Sequence, residues 1–203
     1  MADRTRIAGR LDALWEIARG PRGGADRPAF SAFEAQAMRL VAGWAREASL
    51  EPALDRFGNL WALPTAVSGP VVTAGSHVDT VPDGGRYDGA LGTVLGLELA
   101  EQVPACGLLV CVAEEAPRFG AGTIGSRLLA GTLTRADLDA FRDEGDVSAA
   151  DAQASFLEAL SDLPRCEPAP ERVRAHAEIH VAQRRALREI GVVSRVAAPR
   201  RFE

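Results

Sequence analysis

The run from Gly69 to Glu115, GPVVTAGSHVDTVPDGGRYDGALGTVLGLELAEQVPACGLLVCVAEE, decides the fold. Its opening, GPVVTAG, has no polar face and reads as a strand buried on both sides. The stretch ALGTVLGLELAEQ carries apolar residues at helical spacing. GLLVCVA is a second buried strand, ending at Glu114 and Glu115. Strand, loop, helix, strand is the unit from which parallel α/β sheets are built. The loop between the first strand and the helix is rich in glycine and carries His77, Asp79 and Asp88.

Working outward, Ile7, Leu11, Leu14, Trp15 and Ala18 recur at helical spacing, and Ser31 with Glu34 resembles a capping box opening a helix through about Ala48. PALDRFGNLWALP predicts two short strands around a Gly58–Asn59 turn. From 122 to about 160 helical patterns dominate, and the three prolines of PRCEPAPERVR mark a loop. AHAEIHVAQ and IGVVSRVAA predict further strands. No internal repeat or low-complexity tract interrupts the pattern. The expected fold is α/β, a mostly parallel sheet with helices on both faces, and the length of residues 1–203 fits one domain or a domain with a small appendage.

Composition narrows the function class. The 203 residues are 47% hydrophobic, enough to bury a real core, and the net charge of −5 comes from interspersed acids and bases. No basic face favours nucleic acid or an anionic membrane. The first twenty residues are charged throughout and lack an apolar run, which argues against a signal peptide or membrane span and makes cytoplasm the expected location. Cys106, Cys111 and Cys166 are odd in number and form no C-x-x-C, so buried thiols are expected rather than a disulfide framework or cysteine zinc site.

His77 and the Glu114–Glu115 pair both fall just past buried strands, where open α/β sheets place ligands. With Asp88 and His180 they supply nitrogen and carboxylate donors of the kind that divalent transition metals accept. Two adjacent glutamates after an apolar strand are costly unless a cation faces them. Taken alone, Asp88 reads first as part of an Asp-Gly turn that caps the following helix, and only in the company of the other donors as a ligand. His176 and His180 are four apart, but the order H-A-E-I-H is not that of the helical zinc proteases, and the pair is read as strand. The arginines of QRRALRE read as a solvated face.

GSHVDTVPDGGRYDGALG, EEAPRFGAGTIGSRLLAG and AEIHVAQ together resemble the N-carbamoyl-amino-acid hydrolase and allantoate amidohydrolase family, within the clan of di-metal aminoacylases and carboxypeptidases. RPAFSAFEAQAMRLVAGWAREASLEPALDRFGNLWA resembles the same family's N-terminal region. The resemblance implies a di-metal aminopeptidase-like catalytic domain. His77 would bind one metal, Asp88 would bridge two, and Glu115 and His180 would complete the ligands. Asp79 would orient His77, and Glu114 would be the general base that takes the proton of the attacking water. Gln183 would contact substrate. Arg118 and Phe119 would give structural support, and His176 has no counterpart.

The likeness breaks at HVAQRR, where the family reads like H-I-E-Q-G-P. The chain also stops where family members pass into a lid and dimerisation domain and then return for the rest of the catalytic sheet, which holds the last histidine ligand. Two expectations follow. One is a hydrolase of linear C–N bonds in carbamoyl or ureido amino acids, completed by a second chain, with two zinc or manganese ions in the full site and one weakly held ion in this chain. The other is a catalytically silent remnant that keeps part of the metal or partner binding.

Overall fold

The computed structural model describes residues 2–65, 67, 69–167 and 170–181. In chain order the elements are α1 (Arg4–Trp15), α2 (Ala32–Glu47), β1 (Leu50–Leu54), β2 (Leu60–Pro64), β3 (Val71–Ala74), α3 (Ala90–Gln102), β4 (Cys106–Val110), α4 (Ile124–Leu129), α5 (Arg135–Ala140), α6 (Ala149–Ala159), a 3-10 turn (Pro170–Arg172) and β5 (Val173–Ala177).

The strands form one sheet in the order β1-β2-β4-β3-β5. β3 pairs in parallel with β4 and with β5, while β2 is antiparallel to both β1 and β4. Four strands therefore share a direction and only β2 runs against them, so the sheet is mixed. The reversal comes from the tight hairpin between β1 and β2. Asp55 holds that turn, accepting the N–H groups of Phe57 and Asn59 on one carboxylate oxygen and the Asn59 amide and Trp61 indole on the other.

β4 is buried along all five residues. Leu108 and Val110 join a core with Met38, Val41 and Ala45 of α2 and Val94 and Leu97 of α3. α3 lies flush on the ends of the parallel strands because two of its inward positions are glycine. A Cβ at Gly96 would stand 2.6 Å from the Gly75 nitrogen, and one at Gly92 would collide with the Ile179 carbonyl.

Three local readings shift. The strand expected over GLLVCVA stops at Val110, because the next N–H groups bond outside the ladder, Cys111 to the Ser76 carbonyl and Val112 to the Asn59 side chain. β5 starts before AHAEIH and ends at Ala177, leaving His180 in the following loop. Ser31 caps α2 by accepting the Glu34 N–H, but the Glu34 carboxylate reaches the Phe30 N–H rather than returning to Ser31. IGVVSRVAA lies outside the described residues.

Candidate metal centre

β3 delivers the chain at Ala74 into the loop that carries His77 and Asp79, both fully buried. The His77 Nδ1 lies 3.1 Å from the main-chain carbonyl of Asp79 and 3.3 Å from its Oδ1. Both neighbours are acceptors, so Nδ1 carries a proton and the other nitrogen faces the site. That nitrogen, Nε2, stands 3.8 Å from Asp88 Oδ1 and 3.8 Å from Glu114 Oε2. It is buried and has no hydrogen-bond partner among the described residues.

Asp88 sits at the end of the glycine-rich loop. Gly89 follows it at the N-cap of α3 with φ of +62°, and α3 has no side-chain cap bond. The turn instead presents the Asp88 carboxylate to two imidazoles, His77 and, at 3.4 Å, His180. A Cβ at Gly89 would lie 2.5 Å from the His77 ring. His180 arrives from beyond β5 and stacks on His77 with ring centroids 5.6 Å apart.

The two glutamates follow β4. Asp79 accepts the Glu114 N–H at 3.1 Å on Oδ1 and the Glu115 N–H at 2.9 Å on Oδ2, so one carboxylate joins the histidine loop to the glutamate loop. Arg27, buried beneath, donates to the Val78 carbonyl and to the Leu14 carbonyl at the end of α1.

The charges do not balance internally. Burial pushes the Glu115 carboxyl up to about 7, with Glu114, Asp79 and Asp88 adding to the rise and His77 opposing it. Glu114 is raised from the same first cause, burial. Burial lowers the His77 pKa, but the Asp79 bond and the Asp79, Glu114 and Glu115 charges outweigh it and bring His77 up to about 9. Crowded carboxylates that hold a proton on an imidazole are groups a divalent cation would satisfy.

The side chains test well against such an ion. His77, Glu114 and His180 form one group with ligand atoms within 4.8 Å of one another, and His77, Asp88 and Glu115 form a second. His77 belongs to both. A nitrogen and carboxylate set of this kind suits zinc or manganese. The site opens on a cleft of about 620 Å³ lined by Glu114, Glu115, Gly122, Thr123 and His180. A larger groove of about 960 Å³, over β1 and β2 beside Trp61 and Arg165, contains none of these groups.

All six of the expected site residues that lie among the described ones therefore converge: His77, Asp79, Asp88, Glu114, Glu115 and His180. Gln183 lies outside the described residues. Arg118 is tied to Asp143 and to the Ala29 carbonyl, and Phe119 packs on Phe30. His176 bonds the Thr73 hydroxyl. The three cysteines are free thiols. No described helix is long and apolar enough to cross a membrane.

Sequence reasoning did not connect Glu34 and Asn59 with the site. Asn59 bonds Val112 through its side-chain oxygen, and Glu34 bonds Ala113, the residue before the glutamate pair. The available signal was a carboxylate on the apolar stripe of α2, in line with Met38, Val41 and Ala45.

A mixed α/β sheet with histidine and carboxylate donors gathered at its strand ends is an arrangement able to hold a divalent metal ion. No protein-family model matches the chain. It is 38% identical to an N-carbamoyl-L-amino acid amidohydrolase of Geobacillus stearothermophilus, over 92% of this chain and 48% of that one. It is 31% identical to a ureidoglycolate hydrolase of Oryza sativa, over 94% and 43%. A crystal structure of a hydantoinase/carbamoylase family amidase from Burkholderia phymatum superposes with a TM-score of 0.78 at 30% identity, covering 93% of this chain and 47% of that one. The chain is thus similar to N-carbamoyl-amino-acid and allantoate amidohydrolases, and it spans about half the length of the curated relatives it matches.

Proposed function

We propose that the chain is the metal-binding portion of a cytoplasmic hydrolase that cleaves linear C–N bonds in carbamoyl or ureido amino acids. The observation that carries this reading is the buried, unpartnered Nε2 of His77, facing Asp88 and Glu114 with Glu115 and His180 in ligand range. The named activities of the relatives support the substrate class.

His77, Asp88, Glu115 and His180 would hold zinc or manganese, with Asp79 fixing the His77 ring through Nδ1. When bound, the metal supplies Lewis acidity toward a carbonyl oxygen and its attacking water. Glu114, raised by burial, accepts a proton from that water, whose oxygen adds to the carbamoyl carbon. The C–N bond to the amino acid then breaks, the same proton passes to the departing amine, and the carbamate left behind decomposes to carbon dioxide and ammonia. Gln183 would contact substrate.

The chain spans half of its relatives, and the reading includes a complementing polypeptide that contributes the lid and a further histidine. The competing reading is a silent remnant, and ammonia assays separate the two. The expected result is about one weakly held ion and no useful turnover for the chain alone, with metal-dependent turnover when it is coexpressed with the uncovered half of a relative. Glu114→Gln should abolish that turnover and keep metal, whereas Glu115→Gln should lose metal. Equal metal loss in the two variants overturns the division of roles. Robust turnover by the chain alone overturns the need for a complement, and none in the coexpressed pair favours the remnant.

A further inference from the structure

Four consecutive N–H groups after β4 are bonded to side chains rather than to backbone: Val112 to Asn59, Ala113 to Glu34, Glu114 and Glu115 to Asp79. Asn59 belongs to the hairpin turn and Asp79 to the metal centre. Glu34 comes from the first turn of α2, 79 residues from Ala113, and is fully buried.

A buried carboxylate on an apolar helix face is expensive, and a hydrocarbon side chain would solvate better there. Glu34 spends both oxygens on backbone. Oε1 accepts the Ala113 N–H at 2.9 Å, and Oε2 accepts the Phe30 N–H at the turn into α2. Ala113 is itself held at φ of +53°, a left-handed conformation that a residue with a Cβ disfavours. The residue so held comes immediately before the glutamate pair. Rotation of the chain at Ala113 would swing both carboxyl groups.

We propose that Glu34 is a positioning residue of the metal centre: by tying the Ala113 amide to the start of α2 it holds the backbone turn that aims Glu114 and Glu115 at His77. This rests on the metal reading of the site. Glu34 touches neither metal nor substrate. Its effect is to fix two ligand-bearing residues before any ion arrives, which lowers the ordering cost of binding.

The test is a Co²⁺ titration of the 203-residue protein, followed through the visible absorption of the bound ion. Glu34→Ala removes both acceptors. Glu34→Gln is close to isosteric, but its amide accepts from only one of the two N–H groups and turns its own N–H toward the other. Each should weaken Co²⁺ binding by about tenfold or more and shift the absorption bands. Ser31→Ala is the matched control. It removes the α2 cap one turn away, lowering the melting temperature without touching Ala113, and should leave Co²⁺ affinity within about twofold of wild type. Should Glu34→Ala fail to fold, Glu34→Gln carries the comparison. A folded Glu34→Gln with wild-type affinity and spectrum overturns the proposal, as does an equal loss in Ser31→Ala. Wild-type protein that binds Co²⁺ no better than His77→Ala overturns the metal reading itself, and the proposal with it.

Discussion

Ala113 shows how a single torsion serves the centre. It is fully buried at φ of +53°, between an apolar strand and two glutamates. Glycine adopts this conformation freely, alanine at roughly 1 kcal/mol, and a β-branched residue at more. Ala113→Val is therefore expected to lose about 2–4 kcal/mol of stability, from strain and overpacking together. Ala113→Gly should stay within about 1 kcal/mol of wild type. Urea denaturation measures both, and a well-tolerated valine would refute the account. None of this was legible in VCVAEE, where valine, cysteine and alanine suit a continuing strand equally well. The side chains that bond this segment, Glu34 and Asn59, lie far away in sequence.

α3 and α2 offer a controlled comparison of two helical glycines. In an exposed helix interior, Gly→Ala gains about 0.5–1 kcal/mol. Gly43 in α2 has nothing within 4 Å of a built Cβ, and Gly43→Ala should show that gain. Gly96→Ala should reverse the sign, with a net loss of about 1–3 kcal/mol, because its Cβ would meet the Gly75 and Ala74 backbone at 2.6–2.7 Å. Thermal melts of the two variants decide the matter, and equal stabilisation would mean α3 is free to move. Helical spacing and the Ser31 cap located the two helices, and the Gly58–Asn59 turn located the hairpin. β5 was legible in kind but not in extent. Its span is fixed by its partner: Gly75 follows β3 at φ of +155°, its N–H closes on the Ala177 carbonyl, and the ladder ends there.

Across the whole molecule, loops remote in sequence are pinned by carboxylates, and acid should release them. Burial opposes the charge on Asp83, but the N–H groups of Arg22 and Gly24 and the Arg22 guanidinium outweigh it, holding the carboxyl below its usual range. Asp143 is likewise lowered, against burial, by the N–H groups of Val147 and Gly145 and by Arg118. A carboxyl whose folded pKa lies below its unfolded value stabilises the fold at pH above that unfolded value, near 4, and loses the contribution as pH falls through the folded one. The melting temperature should therefore drop as pH falls below about 4. Asp83→Asn should lower it at pH 7 and flatten the acid fall. An unchanged acid limb in that variant would exclude Asp83 as a contributor. At this scale the parallel unit and the convergence of His77, Asp88 and the glutamates could be read from sequence, because strand ends follow from apolar runs. The reversed β2 set between β1 and β4 could not, since strand order depends on which edges meet.

The pairing of β3 with β5 also sets an order in time. His77 and His180 are separated by 103 positions, and β5 can dock only after everything between them has left the ribosome. Such long-range parallel pairing is slow to form. Of the two donor groups, His77, Asp88 and Glu115 are all translated before β5, while the group containing Glu114 and His180 must wait for it. The donors of the first group are therefore all synthesised before the last donor of the second, so the two halves of the centre are completed at different moments of the chain's own making.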